Sequence, residues 1–547
     1  MAVIRFGGFG GENRAINPVM LPDTVGVVSR NQKPGRGDLR AWKSPTTVAT
    51  VPSGRQTIYR MGRDVNSDSQ YWLSWTGTVN VVRGFDAADT TEQTYYTGDG
   101  APKFTNNVIG LATAPYPTTS RPMGLPAPVD APTVSGTNSG SAEPVVEYYY
   151  YVYTYVNSAG WESANSPVSA LITRDNLGST TISNFSAAPS GNYDIVKIRI
   201  YRTQGSSTGT DFYFLREIAT GTSSTTDDNR DLGEILGTAN WLPAPGIPTG
   251  GTSNVTEPTL SNLTAMWNGM MAGISGNSVR ICEPYAPYAW PAAYEIIPPD
   301  SKPVGLGVFG QAMLVLTTGR PLITQGSTPD GMDQQPLEIQ QGCVAARSIV
   351  SMGTGVAWAS EDGLCWFGAG GPRVLTNGIM LREDWQALVP TSIIGKMYEG
   401  LYLGSYDDGS GRKGFLIDPN GGGMYFLDTG YEAMYFDSLK DQLYVLTGTN
   451  IGKWDTGTSM TYRARSKPFR QGSPINYAAA QVNANAYPVT FRLYADGALK
   501  HTQTVADRNP FRLPGGYRAF EFQIELEGTN PVQDVAIATS VEELKQI

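Results

Sequence analysis

The chain has 547 residues, with 63 Gly, 37 Pro, 10% aromatic and only 16% charged side chains, a balance that predicts many short strands joined by turns. Its single histidine, His501, and three scattered cysteines, Cys282, Cys343 and Cys365, exclude a Ser-His-Asp or Cys-His site, a multi-imidazole zinc centre, a disulfide framework and a CxxC knuckle. The net charge of −9 argues against a grip on phosphate backbones, and the absence of a leader-like N-terminus or any apolar run near ~20 residues predicts a soluble, cytoplasmically folded product without a membrane span.

Residues 1–45 are irregular, with Phe6-Gly7-Gly8-Phe9-Gly10-Gly11, Asn17-Pro18, Leu21-Pro22-Asp23 and Gly35-Arg36-Gly37-Asp38-Leu39 before Trp42. Buriable Val19, Met20, Leu21 and Trp42 predict an extended arm packed along a larger β-structure rather than a free tail. Residues 46–121 form the first part of a repeated β-structure. Here Tyr71–Trp75, the turn Thr76-Gly77-Thr78 and Val79–Val82 read as one hairpin, and Tyr95–Gly100 opens a second.

Residues 122–252 carry a different accent, with Pro122, Pro126, Pro128 and Pro132 leading into the tyrosine run Glu147–Val156. Ile195–Arg202 and Asp211–Ile218 follow, and Trp241-Leu242-Pro243-Ala244-Pro245 closes the segment. Strands at this spacing predict an inserted fibronectin type III-like β-sandwich. Its tyrosines read either as a strand divided between core and surface or as a carbohydrate- or base-stacking platform.

Over residues 253–459 the text repeats. Short apolar strands begin at Met271, Met313, Val356, Leu401 and Leu443, spaced 42, 43, 45 and 42 residues apart. Each has a second strand after a turn: Val279–Ile281, Leu322–Ile323, Leu364–Phe367, Phe415–Ile417 and Ile451–Trp454. A period of about 40–45 residues with an internal hairpin predicts propeller blades, and the Tyr71 hairpin brings the count to about six. Arg382–Leu388 reads as a helix stopped by Pro390. Residues 460–547, with Val489–Tyr494, Arg518–Leu526 and Val535–Thr539, predict a C-terminal β domain.

No constellation identifies a catalytic, cofactor-binding or metal-ligating residue. Ser360-Glu361-Asp362-Gly363-Leu364-Cys365-Trp366 approaches the Asp box of sialidase propellers but is one residue short, and reads as a turn whose Asp caps backbone N–H groups. Asp227-Asp228-Asn229-Arg230-Asp231 and Asp407-Asp408-Gly409-Ser410-Gly411 are calcium candidates or, for want of regular ligand spacing, solvated turns. Arg463, Arg465, Lys467 and Arg470, with Tyr462 and Phe469, read as an ion-pair strip or a nucleic-acid patch.

As a whole the sequence resembles the nozzle (tail tubular protein B) family of short-tailed bacteriophages. The residues carrying the resemblance are Phe6-Gly7-Gly8, Asn17-Pro18, Leu21-Pro22-Asp23, Asn31, Gly37-Asp38-Leu39 and Trp42, then Tyr95–Lys103 and Asp384–Ile393. The resemblance implies a non-enzymatic virion protein without cofactors, assembled in the host cytoplasm as a homohexameric tail ring. That ring would sit below the tail adaptor, contact fibres or spikes, and enclose the channel through which double-stranded genomic DNA leaves without sequence-specific binding. Two alternatives are a tail adhesin using the tyrosine-rich insert and a carboxylate-dependent propeller glycosidase.

Overall fold

Each of the five apolar phrases forms a second strand: four lie in four-stranded sheets, and the Leu401 strand is second in a larger sheet. The computed structural model describes residues 3–62, 67–205, 211–228, 230–237, 260–291 and 293–545; Asn229 and the Trp241–Pro245 closure lie outside them. The chain is all-β, a propeller-class fold with an inserted β-sandwich and a C-terminal β domain. It divides into two units, Met1–Thr76 with Leu316–Pro321 and Leu337–Ile547, and Gly77–Val315 with Leu322–Pro336.

In the first unit, one sheet runs Val350–Ser351, Gly355–Ala359, Leu364–Gly368 and Gly371–Val374. A second runs Ile394–Tyr398, Leu401–Asp407, Arg412–Ile417 and Met424–Leu427, and a third Ala433–Asp437, Gln442–Thr447 and Asn450–Lys453. The fourth strand of the third sheet is Thr46–Thr50, which pairs with Asn450–Lys453 from the far end of the sequence. The second strands Gly355–Ala359 and Leu401–Tyr406 are buried on both faces, which is why they read as unbroken apolar phrases rather than alternating ones.

The C-terminal strands show the complementary pattern. Val489–Ala495 alternates buried and half-buried, with Val489, Phe491, Leu493 and Ala495 inward, the period of a strand with one covered face. Two sheets close over the core of Phe491, Leu493, Phe522, Ile524, Val535 and Ile537. The arm belongs to this packing: Val3–Gly7 pairs with Val532–Ala538, and Phe6 and Leu39 are buried.

The arm strand Gly26–Arg30 lies between Met424–Leu427 of the second sheet and Tyr462–Ser466 of the C-terminal domain, joining them in one ten-stranded sheet. Gly423 makes the approach possible, because a Cβ there would lie 2.3 Å from the Gly10 carbonyl oxygen. Packing of the arm is therefore as expected for Leu21 and Trp42, but not for Met20, which is 77% exposed at the end of the Pro18–Met20 turn.

The second unit holds three further four-stranded meanders. They are Asn80–Arg83 through Arg121–Pro122, Leu260–Ala265 through Glu295–Ile296, and Pro303–Phe309 through Asp333–Pro336. Strand Ala312–Thr317 of the last crosses the division between the units. The Tyr71 hairpin is corrected here. Trp72–Trp75 pairs with Thr57–Arg60, whereas Asn80–Arg83 pairs with Thr94–Thr97, so the Gly77 turn separates two sheets. The Tyr95–Gly100 hairpin forms, with Thr94–Thr97 paired to Lys103–Thr105.

The insert consists of one sheet of Thr133–Thr137, Ser179–Ser183 and Ser224–Asp227, and another of Tyr151–Asn157, Ile195–Thr203 and Phe212–Ala219. A ribbon of Val146–Tyr149 and Ile172–Asp175 extends it. Ile182 from the first sheet meets Tyr151, Tyr153, Tyr155, Ile198 and Ile200 from the second in a single core.

Candidate functional site

Most residues of the family resemblance lie within the first unit, on the arm and in Asp384–Ile393, whereas Tyr95–Lys103 lies in the second. Glu12 is 2% exposed and is held by Arg14 Nε at 2.6 Å, Arg30 Nη1 at 3.0 Å and the Ser29 N–H at 2.9 Å. Both guanidinium groups also lie over the Phe426 ring, at 4.6 and 4.7 Å. A buried carboxylate is tolerated only with such partners, and here they are Arg14 close by in sequence and Ser29 and Arg30 of the strand it anchors.

Asn31 is the second pin. Its backbone sits at φ 52, a region that Asn enters more readily than most residues. Its amide donates to Asp428 Oδ2 at 2.7 Å and to the Thr461 carbonyl at 2.8 Å, while its Oδ1 accepts the Asp428 N–H at 3.1 Å. Lys33 is the third: it reaches Asp455 at 2.6 Å and Glu399 at 2.9 Å across the ring of fully buried Trp42. The arrangement is mechanical: it ties the chain's first 45 residues to two sheets and presents no reacting group.

The other candidates resolve individually. In Ser360–Trp366 the cap is the Ser360 hydroxyl, which accepts the Asp362 N–H at 3.3 Å and donates to the Gly363 carbonyl at 2.9 Å. The Asp362 carboxylate turns to Arg382 at 2.8 Å and Gln341 at 2.7 Å, so the expectation of an Asp cap is corrected. The helix is short, Arg382–Gln386, and its buried Trp385 donates to the Ser360 carbonyl at 2.9 Å.

Asp227 is fully buried, bound by Arg202 at 2.6 Å, Arg174 at 3.5 Å and the Tyr151 hydroxyl at 2.7 Å. Asp228 instead pairs with Arg216 at 3.1 Å, so the two carboxylates have separate partners. Asp408 caps its own turn, taking the Ser410 N–H at 3.0 Å, the Ser410 hydroxyl at 2.6 Å and Lys413 at 2.8 Å. The Lys413 and Ser410 hydrogen bonds hold its carboxyl well below the usual range. Among the described residues no group of three or more His, Cys, Asp or Glu side chains is placed to hold a metal ion.

The basic strip is largely paired. Lys467 bonds Asp23 at 2.6 Å and the Leu21 carbonyl at 2.7 Å, Arg470 meets Glu521 at 2.5 Å, and Arg465 lies 3.7 Å over the Tyr494 ring. Tyrosines 149, 151, 153 and 155 are core residues rather than a stacking surface. The three thiols are buried, and burial pushes each up to about 12. His501 packs beside the paired rings of Phe491 and Phe511, with Nε2 at 3.1 Å from Gln503.

Two features escaped the sequence reading. The β-branched run Thr46-Thr47-Val48-Ala49-Thr50-Val51 was the available signal for the closing strand. Glu12 and its Arg partners gave none, since nothing local distinguishes a buried carboxylate from a solvated one.

No family model matches the sequence, and no curated protein matches it. Among solved structures, apo AztD from Citrobacter koseri aligns with 70% of this chain and 99% of its own at 13% identity and a TM-score of 0.26. TolB from Acinetobacter baumannii aligns with 62% of this chain and 78% of its own at 7% identity and 0.24. A protein of unknown function from Bacteroides thetaiotaomicron VPI-5482 aligns with 74% and 100%, at 10% and 0.25. None of the helices among the described residues is long and apolar enough to cross a membrane.

Proposed function

We propose that this chain is a structural virion protein of the tail-nozzle type, a homohexameric ring around the DNA-exit channel of a short-tailed phage. The observation that carries the reading is the arm. Asn31, Leu39 and Trp42, three residues of the sequence resemblance, are fastening points of a strap that joins propeller-type sheets to the C-terminal domain. Such a strap suits a part that must hold its shape while a stiff polymer moves past it.

Two further properties support this reading. The net charge of −9, 49 acidic side chains against 40 basic ones, leaves a ring of copies without the cationic excess that grips phosphates, so DNA slides rather than binds. The insert exposes Val145, Val146, Val168, Leu171 and Leu177, apolar surface of the kind that contacts with other virion subunits cover. Adaptor and fibre proteins are the proposed partners, and no catalytic step is proposed.

The test is the mass of the purified chain by light scattering and native mass spectrometry. Negative-stain imaging, alone and with the tail adaptor, would accompany it. A particle near six times 58.9 kDa with six-fold rings is expected. A species that stays monomeric with adaptor present, or a heat-stable trimer, overturns the reading.

A further inference from the structure

Within the second unit a cleft of about 600 Å³ opens beside the turn Ser158–Gly160 of the insert. Its lining includes Phe85, Asp86, Gln93, Trp161, Tyr285 and Tyr288. We propose that this cleft is a binding site for a neutral saccharide, with Tyr285 as the ring on which a pyranose stacks and Asp86 and Gln93 as partners for its hydroxyls.

Tyr285 is 70% exposed, the most exposed aromatic side chain among the described residues. It is also held in place. Its N–H donates to the Gly269 carbonyl at 2.8 Å, and its ring lies so close over Gly269 that a Cβ there would be 2.6 Å from two ring carbons. The backbone at Tyr285 is left-handed, φ 60, a conformation unfavourable for a bulky residue and maintained only when its surroundings impose it. One face is backed by the glycine, so the other is the face available to a ligand. The loop that carries it is pinned by Trp290, 2% exposed, whose indole N–H donates to the Pro287 carbonyl at 2.8 Å.

The floor is rigid for the same kind of reason. Trp161 is 5% exposed, stacked on Tyr288 at 5.2 Å and 18° and packed on Phe104 at 4.4 Å. Its indole supports the cleft and is not itself an open platform. Phe85 stands at 82° to Tyr285, 6.4 Å away, forming a wall.

The polar groups narrow the ligand class. The lining has Asp86 and Asp89 and neither Lys nor Arg, so phosphate, sulfate and acidic sugars are disfavoured by like charge. Asp89 is committed to the Thr91 N–H and hydroxyl and the Gln93 N–H, at 2.8, 2.6 and 2.7 Å. Asp86 is exposed and accepts the Ala88 N–H through Oδ1 at 2.8 Å. Gln93 uses Oε1 for the Tyr95 hydroxyl at 2.5 Å, which leaves its amide nitrogen as a donor. A single open ring face with an acceptor and a donor beside it matches a sugar ring, apolar on its C–H face and hydroxylated at its rim. A cationic side chain would instead favour several open faces around one charge.

The proposal is independent of hexamer formation and is tested on the intact chain in whatever assembly it adopts. Saturation-transfer NMR is recorded with glucose, galactose and mannose oligosaccharides of three to six units, and with a tri-lysine peptide. Saturation of the C–H protons of at least one oligosaccharide is expected. Tyr285→Phe should retain it, and Tyr285→Ala should weaken binding about tenfold or more. Asp86→Asn reports the hydroxyl contact, with an expected several-fold loss and unchanged stacking signals. The Ala variant is first shown to keep the wild-type melting midpoint, and Phe85→Ala replaces it if it does not. Absence of transfer to every oligosaccharide, transfer unaffected by Tyr285→Ala and Phe85→Ala, or selective binding of tri-lysine overturns the proposal.

Discussion

The Ser166 N–H donates to the Tyr153 carbonyl at 2.8 Å while the Ser166 hydroxyl accepts the Tyr153 N–H at 3.1 Å. One residue thus satisfies both backbone groups of a strand residue on its open edge. Ser163 does the same for Tyr155, and Ser169 for Tyr151. A serine at every third position of the covering segment meets every second position of the strand, and the edge is closed without adding a strand.

Ser166→Ala should therefore cost more than an ordinary serine. It leaves the Tyr153 N–H buried without an acceptor, a loss of about 1–3 kcal/mol. Unfolding monitored by tyrosine fluorescence in urea checks this, and Ser166→Thr should recover much of the difference. A midpoint equal to the wild type for Ser166→Ala would show that water replaces the hydroxyl.

Glu12→Gln tests the arm. The substitution keeps shape and removes the charge that faces Arg14 and Arg30. Those guanidinium groups retain some solvent, with side chains 31% and 24% exposed, so the expected loss is about 2 kcal/mol, below that of a fully buried pair. Limited proteolysis should then cut within residues 12–30 before any other site.

Asp68 gives a pH dependence with a defined sign. Its carboxylate receives Lys440 at 2.7 Å and Lys453 at 2.9 Å. Burial acts to raise its pKa, but the hydrogen bonds from the two lysines outweigh it and hold the group below its ordinary 3.8. A carboxyl depressed in the folded state contributes stability above its unfolded pKa and loses it as pH falls through the folded one. The contribution is complete at neutral pH and declines below about pH 4. Asp68→Asn should lower the thermal midpoint at pH 7 and shrink its distance from the wild type at pH 3.

Cys282, Cys343 and Cys365 should be silent towards thiol reagents in the folded protein. Burial raises each thiol to about 12, so little thiolate exists at pH 8 and reagent access is blocked as well. A disulfide reagent at pH 8 should titrate none of them in buffer and all three in denaturant. Rapid modification of any one in buffer would show local opening of its sheet.

Replacing Thr46–Thr50 with a Gly-Ser segment should expose the Asn450–Lys453 edge. The expected outcome is a lower melting midpoint and concentration-dependent aggregation, measured by calorimetry and light scattering. An open apolar-backed strand edge recruits other chains.

The core strands of the meanders were legible because burial on both faces leaves an apolar run such as Met313–Leu316, and the meander repeats it at a fixed interval. Outer strands were not, because they face solvent: Asp333–Pro336 is exposed throughout, and its pairing with Leu322–Gln325 leaves no apolar mark. The Tyr71 hairpin failed for a related reason. A Gly turn between two apolar runs signals a hairpin only if the runs have no better partners, and Thr57–Arg60 and Thr94–Thr97 were those partners. The cleft residues come from positions 84–95, 159–161 and 285–288, which no local pattern connects.

The strand that completes the third sheet has an implication for biosynthesis. Thr46–Thr50 leaves the ribosome about 400 residues before its partner Asn450–Lys453, an interval of roughly 20–80 s at ordinary elongation rates. Throughout that time the segment has no native strand partner, and its β-branched run is available to wrong ones. The sheet therefore closes only after nearly the whole polypeptide has been made. A ribosome that stalls early releases a chain that cannot close it.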